Sequence, residues 1–214
     1  MKTGFFKTGL GMLKLGAILA IFATAACVML AFVYNGTSAI IAQRQQADND
    51  AALAELFPDA YSFEPIIEII SPDPNVTIEM AYSAIKNEEI IGAALLVSRP
   101  SYSGVIKSMV GVSKDGLITR VKIMEHTDTP GLGANAASSS YFVDRANGIT
   151  FYGQFAGKNI KDRFEVYNDV IAITASTITS VAVANSVKAA GLAVMAWLDG
   201  KEPEIITGAT RKEE

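Results

Sequence analysis

Hydrophobic positions along this chain fall into three patterns, each predicting a different element. From Leu15 to Tyr34 the run "LGAILAIFATAACVMLAFVY" is uncharged and apolar on every helical face. Its 20 residues, at ~1.5 Å rise each, reach about 30 Å, the thickness of a bilayer's hydrocarbon core. Further on, β-branched and apolar residues come in short runs broken by turn residues. "TIEMAYSAIK" and "EIIGAALLVS" are separated by "NEE", and "GVIKSMVGVS" and "LITRVKIMEH" flank "KDG" at Lys114–Gly116. Asp-Gly supplies the positive φ a tight turn needs, so the second pair reads as a hairpin. In its second arm, alternation places Val121 and Ile123 toward a core. Finally, Val183, Val187, Ala190, Val194 and Trp197 recur at helical spacing between about Ser180 and Leu198, with Gly200 where a helix stops.

Polar segments set the boundaries. "NGTSAIIAQRQQADNDAALAELF" reads as a helical stretch ended by Pro58. The compact part starts near Asp50, with "FPDAYSFEP" as an entry loop. Pro130-Gly131 suits the centre of a type II turn. "SSSYFVDRAN" predicts a short helix and "GITFYGQFAGK" a loop plus a strand. The organisation expected is 1–14 as a cytoplasmic N-terminus, 15–34 as a transmembrane helix, 35–58 as a juxtamembrane helical linker, and 59–214 as one folded domain.

Charge bears on the apolar run. Lys2, Lys7 and Lys14 precede it with no acid among them. That bias puts the N-terminus in the cytoplasm and the rest of the chain on the outer face. A cleaved signal, or a lipoprotein processed at Cys27 in "TAAC", is the alternative. Seven further apolar residues follow Cys27, where a cleaved signal would turn polar, so an uncleaved single-pass anchor is the preferred reading. A net charge of −4 and no basic patch argue against nucleic acid.

Residue types exclude several chemistries. With one cysteine, Cys27, and one histidine, His126, no cysteine-ligated cluster, disulfide or zinc site is expected. There is no GxSxG elbow, phosphate loop or GxGxxG. Binding remains, including binding of a cofactor that brings its own chemistry.

The candidate for that is "TASTITS", Thr174–Ser180, with three threonines and two serines in seven residues. One hydroxyl caps a helix; five are more than a cap requires. A helix N-terminus also favours a phosphate, through free N–H groups and its dipole. Capping and phosphate binding both fit the residues. His126 reads either as a strand-end polar residue or as a tuner of a nearby cofactor.

"TASTITS" resembles the [ST]-G-A-T-x-[ST]-[ST] signature of the FMN-binding-domain family, in which FMN is joined through its phosphate to a threonine. The residue matching the linked position is Thr177. "DTPGLGA" (Asp128–Ala134) resembles that family's E-T-P-G-L-G segment against the flavin ring. "PSYSGVIKSMVGVSKDG" is similar to its G-Y-S-G-x-I segment and following hairpin, and "FYGQFAGK" to its aromatic-x-x-Q-F-x-G stretch. With the N-terminal anchor, the whole looks most like the G subunits of the Rnf ion-translocating electron-transfer complex. The C subunits of the sodium-translocating NADH:quinone reductase are close relatives.

The resemblance implies an α+β fold: an N-terminal transmembrane helix, then an extracytoplasmic FMN-binding domain with a twisted, mainly antiparallel sheet and flanking helices. It implies a covalent FMN on Thr177, with Thr174, Ser176, Ile178, Thr179, Ser180, Asp128, Thr129, Leu132, Gly133, Tyr102 and Ser103 as the cofactor-binding set. It further implies electron transfer between ferredoxin and NAD coupled to Na⁺ or H⁺ translocation, other members of the complex as partners, and a separate flavin transferase for attachment. A member of a quinone reductase, or an anchored binding module without electron transfer, is the alternative. The chain departs from the family pattern at four places. Ile171 stands where the family has Asp, Ala175 for Gly, Ser176 for Ala, and Asp128 for Glu. A literal T-G-A-T also ends at Thr210. Thr177 is preferred because the chain ends four residues after Thr210, leaving no helix to present a phosphate there.

Overall fold

The computed structural model describes residues 3–201 and 203; Thr210 and its T-G-A-T lie outside the described residues. The chain divides into two compact units, residues 1–50 and 51–214. Helix α1 runs Thr3–Leu56. Its segment Gly11–Leu56 has a mean hydropathy of 2.5 over its most apolar window and is long enough to cross a membrane.

In the second unit a five-stranded sheet follows the chain order: β1 (Ser62–Pro65), β2 (Thr77–Lys86), β3 (Glu89–Pro100), β4 (Val105–Ser113) and β5 (Ile118–Glu125). Every neighbouring pair is antiparallel. The β2–β3 turn has positive φ at both Asn87 and Glu88, and the β4–β5 turn has it at Gly116. Two-residue turns of the first kind match the right-handed twist of the strands they join.

β3 lies at the middle of the sheet and is buried on both faces. Ala93, Leu95 and Val97 belong to one core, while Ala94 and Leu96 belong to the other. The first core lies under α2 (Thr177–Leu198), which packs on β3 and β4. The second is closed by Ala52, Leu53 and Leu56 of the last turns of α1, with Phe57 and Met109. α2 is also long and apolar enough to cross a membrane, yet 13 of its 22 residues are buried. It is a core helix, with small residues such as Ala184, Ala190 and Gly191 letting it approach the sheet. A Cβ at Gly191 would stand 2.7 Å from Ile160 Cγ2.

Alternation in β5 is interrupted. Gly111 pairs with Arg120, but Val112 pairs with Ile118, so Thr119 is an extra, bulged residue. A bulge reverses the inward parity. Ile118 is therefore buried along with Val121, and Ile123 is only half-buried.

Three local expectations are corrected. Residues 138–147 form no helix. They hold strand β6 (Phe142–Asp144) and a turn into β7 (Ile149–Thr150), a two-stranded ribbon. Asp144 Oδ1 accepts the N–H groups of Ala146 and Asn147, at 3.0 and 3.2 Å, a side-chain-to-backbone turn that competes with helix. Gly148, at φ +67, completes it. In residues 148–158 the strand is confined to β7, and a 3₁₀ turn, Gly153–Phe155, follows it. α2 itself begins at Thr177, three residues earlier than the apolar spacing indicated.

Candidate functional site

The site lies where β3 and β5 end and β4 and α2 begin. It is a cavity of about 420 Å³ lined by Tyr102, Asp128, Thr129, Leu132, Gly133, Ala175, Ser176, Thr177, Ile178 and Thr179.

Asp128 organises it. Only 5% of its surface is exposed. Its Oδ2 accepts the hydroxyls of Ser101 and Thr179, both at 2.7 Å, and its Oδ1 accepts the Ser103 N–H at 3.0 Å. Burial pushes the Asp128 carboxyl up. The three hydrogen bonds and the neighbouring His126 outweigh that and hold its pKa below the ordinary value. One carboxylate thus joins the β3–β4 loop, the loop after β5 and the first turn of α2.

The loop after β5 is a tight turn. The Leu132 N–H donates to Thr129 O at 3.1 Å, and Gly131 takes φ +77, the type II arrangement for which Pro-Gly is suited. Gly133 is needed for closeness. A Cβ there would stand 2.7 Å from both Asp128 Cβ and Thr179 Oγ1.

α2 starts after Ser176, whose side chain makes no capping bond. The first helical hydrogen bond is Ser180 N–H to Ser176 O at 3.0 Å. The N–H groups of Thr177, Ile178 and Thr179 therefore have no intrahelical acceptor. The five hydroxyl-bearing residues divide their roles. Ser180 is buried, accepts the Ile173 N–H and donates to Ser176 O, each at 2.9 Å. Thr179 holds Asp128. Thr177 Oγ1 lies 2.7 Å from Tyr167 OH. Thr174 is exposed, and its N–H donates to Tyr141 OH at 3.3 Å.

Of the residues expected from the sequence, Tyr102, Asp128, Thr129, Leu132, Gly133, Ser176, Thr177, Ile178 and Thr179 line the cavity. Thr174, Ser180 and Ser103 do not; Ser180 supports the turn from below and Ser103 acts through its backbone. His126 does not line it either, and its Nδ1 is buried without a partner among the described residues. Ala175 does line it, at φ +59. The signal for it was its alignment with the family's glycine, since that conformation strains a residue with a Cβ.

Two further residues escaped the sequence reading. Gln154 clamps the segment leading into α2. Its Oε1 accepts the Ile171 N–H at 2.7 Å, and its Nε2 donates to Ile171 O at 3.1 Å. Tyr167 meets Thr177. Asp169, the acid nearest the missing family position, does not reach the cavity. Its carboxylate accepts the N–H groups of Phe164 and Glu165, at 3.0 and 2.6 Å, and pairs with Lys158.

The dimensions fit a small-molecule cofactor. The volume lies within the roughly 300–1,000 Å³ usual for such sites. Leu132, Ile178 and Tyr102 offer apolar surface, and the free N–H groups of α2 suit a phosphate.

Comparison with known proteins agrees in place. Residues 101–191 match the FMN-binding domain, a span holding every residue that lines the cavity. Residues 1–56 match the RnfG N-terminal region. The G subunit of the Na⁺-translocating ferredoxin:NAD⁺ oxidoreductase complex of Acetobacterium woodii is 32% identical over 192 residues, covering 81% of this chain and 87% of that protein. Its proton-translocating counterpart in Clostridium ljungdahlii is 32% identical over 180 residues, covering 81% and 86%. The G subunit of the ion-translocating oxidoreductase complex of Escherichia coli is 27% identical, covering 84% and 89%. Among solved structures, NqrC of Shewanella oneidensis matches at 16% identity and a TM-score of 0.39, over 65% of this chain and 66% of that one. The chain belongs to the family of G subunits of ion-translocating oxidoreductase complexes.

Proposed function

We propose that this protein is the electron-carrying flavoprotein of a membrane complex that couples electron transfer between ferredoxin and NAD to Na⁺ or H⁺ translocation. Its FMN is joined through the phosphate to Thr177. The observation that carries this reading is the placement of Thr177: first residue of α2, lining a cavity of about 420 Å³ beside three free helix N–H groups. Relatives named as members of ferredoxin:NAD⁺ oxidoreductase complexes support this partner chemistry over the quinone-reductase alternative.

FMN would supply one-electron redox chemistry. The chain's residues bind and orient. The free N–H groups at the start of α2 would hold the phosphate. The Thr129–Leu132 turn, drawn close by Gly133, and the side chains of Tyr102, Leu132 and Ile178 would hold the ring. Asp128 stays ionised and keeps the three segments in register. Thr174, Ser176, Thr179, Ser180 and Ser103 complete or support the phosphate turn. No acid–base group is required. Lys14 and its fellow lysines ahead of the exposed apolar run Leu15–Tyr34 support a single-pass anchor. The N-terminus is then cytoplasmic and the FMN domain on the outer face. A threonine hydroxyl does not react with FAD unaided, so a flavin transferase is a required partner.

Peptide mass mapping of protein produced with such a transferase tests the reading. An FMN-phosphoryl mass on the fragment carrying Thr177 is expected. The mass on the Thr210 fragment, or no covalent flavin at all, overturns it.

A further inference from the structure

Thr177 Oγ1 lies 2.7 Å from the hydroxyl of Tyr167, and the segment that carries Tyr167 is unusually constrained. Phe164 and Val170 anchor its two ends in the core. Between them, Glu165 O accepts the N–H groups of Asn168, Asp169 and Val170, at 3.0, 3.1 and 3.1 Å. The Asp169 carboxylate takes the N–H groups of Phe164 and Glu165, and the Tyr167 N–H donates back to Val170 O at 2.9 Å. The outcome is a left-handed backbone at Tyr167, φ +70, which is unfavourable for any residue with a Cβ. Packing of the ring does not explain its position, because Tyr167 is 77% exposed. A strained, over-determined residue whose one side-chain hydrogen bond among the described residues is to the hydroxyl of Thr177 points to function.

We propose that Tyr167 is a positioning residue for the modification of Thr177. This rests on the reading of Thr177 as the attachment point. In the transfer from FAD, the bond from Thr177 Oγ1 to the FMN phosphorus forms and the bond from that phosphorus to the AMP oxygen breaks. AMP leaves with the electron pair, and the hydroxyl proton passes to a base of the transferase; nothing is oxidised or reduced. With Thr177 as the donor of this pair, Tyr167 OH holds the Thr177 hydrogen until that base takes it, which aims an Oγ1 lone pair outward. Afterwards it is free to donate to the ester. Asp169, displaced by two positions from the family's acid, serves the same end by holding the segment that presents Tyr167.

The test uses the full chain in detergent with the transferase and FAD, and follows covalent flavin incorporation by in-gel fluorescence. Tyr167→Phe removes only the hydroxyl. Its kcat for incorporation should fall roughly three- to ten-fold, the worth of one hydrogen bond, with KM for the chain and the melting temperature unchanged. Tyr167→Gly, suited to the backbone at this position, should fold as well as the natural protein and show at least the same loss. A Tyr167→Phe chain labelled on Thr177 at the natural kcat overturns the proposal, and so does a change confined to KM, which would mark Tyr167 as a docking contact. Natural protein that takes no flavin, or label persisting in Thr177→Val, instead overturns the assignment of Thr177, and the role of Tyr167 falls with it.

Discussion

Thr179 Oγ1 donates to Asp128 Oδ2 across 2.7 Å and 51 residues of sequence. The same oxygen accepts a hydrogen bond from Ser101 Oγ. The mouth of the cavity is therefore held by one buried carboxylate shared among three segments, rather than by the fold of any one of them.

Asp128→Asn should destabilise the domain by about 1–3 kcal/mol at neutral pH, the range for hydrogen bonds to a charged acceptor. The folded-state pKa of Asp128 lies below its ordinary 3.8. Its contribution is thus complete above about pH 5, fades as the pH falls through 3.8 and is lost below the folded value. Thermal melting from about pH 7 down to about pH 3 should show a steeper acid limb for the natural protein than for Asp128→Asn.

Thr177→Val should remove covalent flavin while changing stability by no more than an exposed substitution does, about ±0.5 kcal/mol. Thr210→Val should leave labelling intact. In-gel fluorescence after denaturation reads both. A loss confined to Thr210→Val would reassign the attachment point.

Ala175→Gly and Gly133→Ala should move stability in opposite directions. Ala175 holds φ +59, and glycine there should be worth about 0.5–1 kcal/mol. At Gly133 a Cβ meets Asp128 and Thr179 at 2.7 Å, an overpacking that should cost about 1–3 kcal/mol. Denaturant midpoints of the two variants check the signs.

Gln154→Ala should free the segment before α2. Both backbone groups of Ile171 lose their partner, and because the site is exposed the cost should be about 0.5–1.5 kcal/mol. Hydrogen exchange should rise at Ile171 more than in β3.

How much was legible can be followed residue by residue. Gly116 and Pro130-Gly131 announced their turns, because turn chemistry is a property of two or three adjacent residues. Thr177 stood out through a resemblance to known flavin signatures, and Ala175 could have been found by asking why that signature has glycine. The helix expected over residues 138–147 failed because Asp144 spends its carboxylate on the backbone N–H groups of a turn. Alternation singled out Val121 and Ile123 for the core and missed Ile118, because the bulge at Thr119, a matter of pairing with β4, leaves no local mark.

By itself the sequence determined the apolar run of the N-terminal helix, the hairpin strands, the long helix near the C-terminal end and the family. Each of these rests on local periodicity, turn residues or alignment. Tertiary structure alone decided what the crowded hydroxyls do: Ser180 supports the turn, Thr179 binds Asp128, and Thr177 turns to the cavity and to Tyr167. The physical reason is that a hydrogen bond depends on distance in space. The partners of Thr177 and Thr179 lie ten and fifty-one positions away, where no local pattern encodes them.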